Sequence, residues 1–285
     1  MPVHLIIATH TTRHLEAVLK GASLLSPRAD TISLTCDVSD PEISNLTTTS
    51  AQLFGIEILY TQRKHHGIAR PAQTRNNALR ALMDHGHTSG LLVFLDGDMI
   101  LCPGALNRHL ELAKTYAVIA GERLNLTEEE TPEFSRNLIK KNGYATIHAP
   151  EEMKRLKRVD RKRKEHLFFR RFGLAKPMKP KITGCHFSFR FEELIKLNGF
   201  DERFMGYGAE DDDLARRAHK ARLKYTTAAQ KILAYHLYHP TRSVGSWKHN
   251  DGPRVLQNEP WQVRCEHGIA NPLPQHEPIT ETLAP

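Results

Sequence analysis

Short apolar runs alternate with amphipathic segments of helical length along most of this chain. Continuous apolar runs predict buried strands, whereas apolar residues at i, i+3, i+4 and i+7 predict helices. The predicted strands are residues 3–8, 31–36, 56–60, 91–96, 118–121 and 232–236. The predicted helices are residues 15–22, 72–83 and 105–114. Strands that alternate with helices in this way predict an α/β fold with a mostly parallel central sheet flanked by helices.

Other stretches carry weaker patterns. Residues 39–50 are polar and predict a loop that leads into a helical turn. Residues 125–150 predict irregular structure with some helix. The tail, residues 251–285, is rich in proline and predicts an extended segment that wraps the domain or is partly disordered.

Polar residues follow three of the predicted strands where each strand ends. Thr9, Asp37 and Asp96 close the first, second and fourth strands. In a parallel sheet these ends share one edge, so the three loops are expected to line one crevice. No glycine-rich phosphate motif follows the first strand, which weighs against a dinucleotide dehydrogenase and against a P-loop enzyme.

The fourth strand leads directly into two carboxylates, Asp96 and Asp98, separated by Gly97. Two acids at a strand end repel each other unless a cation lies between them. Mg²⁺ and Mn²⁺ take oxygen ligands and leave positions open for substrate phosphates. The sequence therefore favours a metal–diphosphate site here, with an ordinary surface turn as the alternative.

A second acidic block, residues 210–213, follows two glycines that flank Tyr207. Acids in a first helical turn are favoured by the backbone N–H groups, and this explains one or two of them. Four consecutive acids repel one another. Their presence suggests that some face a site, where one acts as a base or binds hydroxyl groups.

The strand at residues 232–236 ends in histidines. A lone histidine is more often structural than a metal ligand, but here His236 and His239 follow a strand in a chain that already offers paired carboxylates. Imidazole beside carboxylates suits Mn²⁺. We therefore expect His236 to be a metal ligand, with His239 as the second choice.

Positive charge is concentrated in one segment. The chain carries a net charge of +8, and residues 151–181 hold thirteen Lys or Arg against four Asp or Glu, a local +9. The first half of this segment predicts an amphipathic helix, and residues 167–172 add three phenylalanines. Basic and apolar residues together predict peripheral contact with an anionic membrane, and a solvated helix packed on the domain is the alternative.

Four widely spaced cysteines and the absence of a signal-like N-terminus favour a reducing cytoplasm, with the inner membrane face as an additional location. No apolar run approaches the ~20 residues that span a bilayer.

These motifs together resemble the family 2 glycosyltransferases of the GT-A fold. Residues 96–98 match the family's D-x-D motif, and residues 72–78 resemble its A-R-N-x-(G/A) helix start. The block at residues 206–213 is similar to the G-W-G-G-E-D-D-D motif of β-1,4-galactosyltransferases, and the second half of the chain is also similar to bacterial chondroitin-polymerase-type enzymes. The resemblance covers residues 3–122 and 182–240, and it departs at Tyr207 and His186.

The resemblance implies a role for each matching residue. Asp211 is the implied catalytic base. The implied donor-binding residues are Thr9, Asp37, Arg75, Asp96 and Gly97, although a surface position on its helix is the alternative for Arg75. The implied acceptor-binding residues are Glu210, Asp212, Tyr207 and His186. The implied ligands of Mn²⁺ or Mg²⁺ are Asp96, Asp98 and His236, with His239 behind them.

The predicted organisation is a GT-A domain at residues 1–250 followed by the tail. Within it we predict a nucleotide-sugar half at 1–122, a basic, partly helical insertion at 123–181 and a catalytic half at 182–250. The predicted function is polysaccharide biosynthesis: a metal-dependent, inverting transfer of a sugar from a nucleotide donor, with UDP expected, to a hydroxyl of a glycan or a lipid-linked glycan. A sugar-phosphate nucleotidyltransferase is the alternative enzyme. Nucleic-acid binding through residues 151–181 is the less favoured alternative, because no recognised nucleic-acid motif accompanies the charge.

Overall fold

The structure is a computed structural model that describes residues 1–141, 143–144, 150–206, 208–240, 256 and 262–285. Its described part contains two sheets. The larger has the strand order β11-β3-β2-β1-β4-β8-β6-β9, and the smaller has the order β5-β10-β7. The strands of the larger sheet are β1 (Val3–Thr9), β2 (Thr31–Cys36), β3 (Ile58–Gln62), β4 (Leu91–Asp96), β6 (Val118–Ala120), β8 (His186–Arg190), β9 (Tyr225–Thr227) and β11 (Ile279–Leu283). Those of the smaller are β5 (Met99–Leu101), β7 (Glu122–Asn125) and β10 (Leu233–His236).

The centre of the larger sheet is parallel, as predicted. Strands β3, β2, β1 and β4 run in one direction, and β8 reverses it between β4 and β6. This mixed α/β arrangement confirms the expected fold class. The strand that carries His236 differs from expectation in its position, because β10 pairs with β5 in the smaller sheet.

Helices cover both faces of the larger sheet. Alternate residues of β4 enter two separate cores: Leu91, Val93 and Leu95 face one, while Leu92 and Phe94 face the other. A strand buried on both faces reads as a continuous apolar run, which explains why this one was recognisable. The helices are α1 (Leu15–Ser23), α2 (Pro41–Phe54), α3 (Pro71–Asp84), α4 (Ala105–Ala113), α5 (Glu130–Lys141), α6 (Pro150–Arg170), α7 (Phe191–Lys196) and α8 (Glu210–Lys220).

The predicted loop at residues 39–50 is wrong, because helix α2 occupies this stretch. The Asp40 side chain caps the helix by accepting a hydrogen bond from the Glu42 N–H at 2.8 Å, and Pro41 stands in the first turn. Inside the helix, the Thr47 hydroxyl donates to the Ile43 carbonyl, so a polar side chain satisfies its own hydrogen bond when buried. Asp40 as the cap and Pro41 in the first turn are the sequence features that indicate this helix, although the stretch is polar in composition.

The described part of the tail packs against the domain. Strand β11 pairs antiparallel with β3 at the edge of the larger sheet. The Glu202 carboxylate is buried, and it accepts hydrogen bonds from the Leu273 N–H and the Gln73 side chain at 2.9 and 2.8 Å. The predicted wrapping thus describes residues 262–285, whereas residues 251–255 and 257–261 lie outside the described residues. The predicted division into subregions stays a prediction.

Most of the basic segment forms one long helix, α6, which ends at Arg170. Its buried anchor is Leu156, and Arg163 donates to the Glu122 carboxylate at 2.7 Å and to the Gly121 carbonyl at 2.9 Å. None of the described helices combines the length and the apolar character that crossing a bilayer requires. Residues 125–150 contain more helix than predicted, since α5 covers Glu130–Lys141; residues 142 and 145–149 lie outside the described residues.

Candidate active site

The turn after β4 is pressed against the end of β1. A Cβ atom added to Gly97 would lie 2.5 Å from the Thr9 hydroxyl oxygen and 3.2 Å from the Ala8 carbonyl oxygen. Any larger residue would therefore push Asp96 and Asp98 out of place. The Thr9 hydroxyl itself donates to the Thr11 carbonyl at 3.1 Å. Thr9 and Gly97, two of the five predicted donor-binding residues, lie at the predicted edge of the sheet. In this structure they hold the acidic turn in position.

Asp98, His236 and His239 form a cluster in which one ligand atom of each lies within 4.8 Å of the others. Asp98 Oδ2 is 3.1 Å from His239 Nε2 and 3.5 Å from His236 Nε2. The pairing of β10 with β5 creates this cluster, because the Leu237 N–H donates to the Asp98 carbonyl at 2.9 Å. Asp96, one of the three expected ligands, lies outside this cluster. The other two, Asp98 and His236, are grouped with His239, which was the second choice.

The hydrogen bonds around these histidines show how each ring is oriented: Nδ1 meets a protein acceptor, and Nε2 faces Asp98. His236 Nδ1 lies 3.1 Å from Asn125 Oδ1, and His239 Nδ1 lies 3.2 Å from the Pro240 carbonyl oxygen. Both partners are acceptors, so each Nδ1 donates to its partner, and the neutral form of each ring would turn the Nε2 lone pair towards Asp98. Asp98 Oδ1 is also buried and has no hydrogen-bond partner among the described residues. Several acceptor atoms thus converge on one point, and a divalent cation fits them.

Arg75 joins the acidic turn to the acidic helix. Its guanidinium donates to Asp96 Oδ1 at 2.8 Å and to Glu210 Oε1 at 3.0 Å. The side chain is buried, and the two carboxylates hold its pKa above the usual value although burial opposes this. The surface alternative for Arg75 is therefore wrong. Burial is the main cause that raises the pKa of Asp96 to about 6, and the neighbouring Asp98 adds to the effect while Arg75 opposes it.

Asp211 is held by two backbone groups. Its Oδ2 accepts a hydrogen bond from the Gly184 N–H at 3.1 Å, and its Oδ1 accepts one from the Asp212 N–H at 2.8 Å. Burial, together with the nearby charges of Glu210 and Asp212, raises its pKa to about 7. A carboxylate has about four acceptor positions, and the two backbone N–H groups occupy only two of them, so Asp211 can still receive a proton. A pKa near neutrality suits a general base, and the role of Asp211 as the catalytic base stays a prediction here.

The other acids of the block have separate partners. Glu210 Oε2 is buried and accepts no hydrogen bond from the part of the chain that the structure describes, while Asp212 pairs with the Lys181 ammonium. Asp213 is buried between Arg216 and Arg217 at 2.9 and 2.6 Å. Four consecutive acids are therefore tolerated because three of them have cationic neighbours, and one of those, Asp213, is structural.

Asp37 lies at the predicted edge but is occupied by protein groups. Its carboxylate accepts from the Arg70 N–H at 3.0 Å and from the Thr74 hydroxyl at 3.3 Å, and it pairs with the buried Arg63. Contact with a nucleoside stays a prediction for this residue.

The structure does not place His186 where an acceptor could touch it. Its ring is fully buried, with Nδ1 3.0 Å from the Glu122 carbonyl oxygen and Nε2 3.0 Å from His109 Nε2. Burial lowers its pKa to about 4, so the ring is neutral near pH 7. The expected acceptor contact is corrected to a structural role. Tyr207, the other expected acceptor residue beside the acid block, lies outside the described residues.

Sequence reasoning missed Asn125 and Lys181. Asn125 orients His236, and its amide nitrogen is fixed in turn by the Glu152 carboxylate at 2.9 Å. The register of β7 against β10 places Asn125 opposite His236. Such a pairing joins residues more than a hundred positions apart, and no local pattern announces it.

Comparison with known proteins agrees with this geometry. A family model described as the N-terminal domain of galactosyltransferase matches residues 163–240, which contain the acid block and His236. S. aureus TarS (residues 1–349) superposes with a TM-score of 0.53 and 13% identity, over 83% of this chain and 60% of that one. This chain thus spans three fifths of the TarS segment. No curated protein matches the chain in sequence.

A second solved structure is glucosyl-3-phosphoglycerate synthase from Mycobacterium tuberculosis, in complex with Mn²⁺, uridine diphosphate and phosphoglyceric acid. It superposes with a TM-score of 0.48 and 13% identity, over 90% of this chain and 77% of that one. At that score it adds no argument about this chain. The TarS superposition shows that the fold is GT-A, as predicted, and the family match supports the predicted resemblance over residues 163–240.

The cluster predicts that the protein binds one Mn²⁺ ion. Replacing a direct ligand (His239→Ala) should weaken Mn²⁺ binding by at least about 100-fold, and Asn125→Ala should weaken it by about tenfold through the misoriented His236 ring. Electron paramagnetic resonance of free Mn²⁺ measures both. His276→Ala, a change at an exposed histidine far along the chain, is the control. Unchanged Mn²⁺ affinity in His239→Ala would exclude this cluster as the metal site.

Proposed function

We propose that this protein is a metal-dependent, inverting glycosyltransferase. Its donor is a nucleoside diphosphate sugar, with UDP as the expected nucleotide, and its acceptor is a hydroxyl of a glycan or a lipid-linked glycan. The observation that carries the proposal is Arg75, which ties the turn beside the cation cluster to the helix that presents Asp211. A single arginine thus brings the metal end and the base end of the site together. A cytoplasmic location remains part of the proposal.

Each end of the site has a distinct chemical task. A divalent cation bound by Asp98, His236 and His239, with Mn²⁺ favoured by the imidazole ligands, supplies positive charge for the donor diphosphate. Gly97 and Thr9 hold the acidic turn in position, and Arg75 holds Asp96. Preorganised charges of this kind lower the barrier because they need no rearrangement as the diphosphate gains charge.

Asp211 carries out the proton transfer at the other end. The acceptor oxygen attacks the anomeric carbon, the bond from that carbon to the diphosphate oxygen breaks, and its electron pair leaves with the diphosphate. The hydroxyl proton passes to Asp211. One displacement with one base predicts inversion at the anomeric carbon. Glu210 and Asp212 flank the base and are proposed to orient acceptor hydroxyls.

Product identification tests the proposed reaction against the nucleotidyltransferase alternative. With a panel of nucleotide sugars and Mn²⁺, we expect slow donor hydrolysis that releases a nucleoside diphosphate, measured by ion-exchange chromatography. Release should stop when a chelator removes the metal and return when Mn²⁺ is restored. Pyrophosphate as the product would instead identify a nucleotidyltransferase, and undiminished activity in the chelator would remove the metal from the mechanism.

Asp211→Asn should reduce transfer by about 10²–10⁴-fold, the usual contribution of a general base, while the Kd for the donor stays unchanged. Donor binding is measured by calorimetry and transfer by product release. Asp84→Asn, at the exposed end of α3, is the matched control and should retain full activity. Full activity in Asp211→Asn would assign the base elsewhere.

The raised pKa of Asp211 predicts a pH dependence. Below about 7 the carboxyl is protonated and cannot accept the hydroxyl proton, so kcat/KM should fall as the pH drops through about 7 and level off above it. Metal occupancy is measured at each pH by Mn²⁺ resonance, which separates loss of the base from loss of the ion. A profile that stays flat from pH 8 to pH 5 at constant metal occupancy would contradict the assignment.

A further inference from the structure

One side of helix α6 is firmly attached to the domain. Leu156 is fully buried, and Arg155 and Arg163 both pair with Glu122. Arg163 also donates to the Thr183 hydroxyl, next to the Gly184 N–H that holds Asp211. The helix is therefore fixed in position relative to the proposed acceptor end of the site.

The C-terminal end of α6 exposes a cluster of large apolar side chains, which we call the aromatic patch. It consists of Phe168, Phe169, Phe172 and Leu174, which are 55%, 47%, 62% and 73% exposed. The Phe168 ring lies 5.7 Å from the Phe169 ring and 5.3 Å from the Phe172 ring, measured between centroids. Single exposed apolar residues are common, but a contiguous patch of this kind marks an interaction surface.

The patch stands on an ordered turn. The Leu174 N–H donates to the Phe169 carbonyl at 3.1 Å, and the Gly173 N–H donates to the Arg170 carbonyl at 3.0 Å. Gly173 has a φ of 72°, which glycine adopts readily. Arg170 donates to the carbonyls of Lys176 and Lys179, each at 2.7 Å. These bonds hold the apolar side chains in solvent instead of letting them fold onto the domain.

Cations border the aromatic patch. A groove of about 500 Å³ runs beside it, and Lys157, Arg161 and Lys164 line it together with Phe168 and Phe169. Asp160 and Glu165 also line the groove, where they pair with Lys164 and Arg161, so the positive charge beyond these pairs comes from Lys157 and from the rest of the segment. The whole segment 151–181 carries a charge of +9, while the remainder of the chain is near −1. A partner for this surface must therefore combine negative charge with an apolar interior.

We propose that the aromatic patch and its bordering cations dock on an anionic lipid bilayer. The phenylalanines enter the boundary between headgroups and acyl chains, and the cations meet the lipid phosphates. From the patch the chain runs directly to Lys181, which pairs with Asp212, and to Gly184, which holds Asp211. Docking through the patch would therefore hold the acceptor end of the site near the bilayer, because only about ten residues separate Leu174 from Gly184. Resting on the proposed function, this selects a lipid-linked acceptor from the two classes named above.

Vesicle sedimentation tests the docking surface without any substrate. The intact protein should bind vesicles that contain phosphatidylglycerol and should bind phosphatidylcholine vesicles at least about tenfold more weakly. The double change Phe168→Ser, Phe172→Ser should reduce the partition by at least about tenfold. The triple change Lys157→Ala, Arg161→Ala, Lys164→Ala should reduce it by about 100-fold and flatten its salt dependence. Leu53→Ser, at a 66% exposed position on α2, is the control and should bind like the unaltered protein.

The proposal would be overturned if the unaltered protein did not bind anionic vesicles, if the serine variant bound them equally well, or if that variant dispersed a dimer in light scattering. The last would make the patch an interface between copies of this chain. Tighter binding to RNA than to the vesicles would likewise overturn it. Donor hydrolysis in the serine variant should equal that of the unaltered protein, so vesicle binding and sugar transfer can fail independently of each other.

Discussion

The buried guanidinium of Arg75 is the interaction on which the site depends. It lies between Asp96, at the end of β4, and Glu210, at the start of α8, two positions 114 residues apart. Buried ion pairs contribute little net stability, but loss of one partner leaves an uncompensated charge. The value of Arg75 therefore lies in position. It fixes the distance between the cation cluster and the base, and it offsets part of the repulsion among the acids that surround them.

The metal end depends on a different constraint, the pairing of three short strands. Strand β5 follows the acidic turn, β10 pairs with β5, and β7 pairs with β10. This order places His236 opposite Met99 and beside Asn125, so the histidines reach Asp98 through backbone register. The tautomers then follow from the acceptors at each Nδ1. The proposed cation site thus depends on sheet topology, on the hydrogen bonds that orient the histidines, and on a carboxylate oxygen that has no partner among the described residues.

Much of this arrangement follows from local sequence patterns. The strands β1, β2 and β4 were predictable because they are buried on both faces, and the acidic turn was predictable because it ends one of them. Helix α2 was missed because its buried face contains two polar residues, Thr47 and Ser50, and the Thr47 hydroxyl forms its hydrogen bond locally, with the Ile43 carbonyl. The acceptor contact expected for His186 was wrong for a similar reason. The local sequence does not show that this ring is buried against His109. Burial at such positions is decided by contacts that are distant in the chain.

Helix α6 contacts residues at both ends of the candidate site. Its first turn provides Glu152, which orients Asn125 and through it His236. Its middle provides Arg163, which reaches the strand-end loop that holds Asp211. Its last turn presents the aromatic patch. A basic segment that merely solubilised the domain would not need buried contacts to both the metal end and the base end. The same helix therefore contacts the proposed catalytic groups and carries the proposed docking surface, so contact with a bilayer would set the orientation of the acceptor end without any change in the fold.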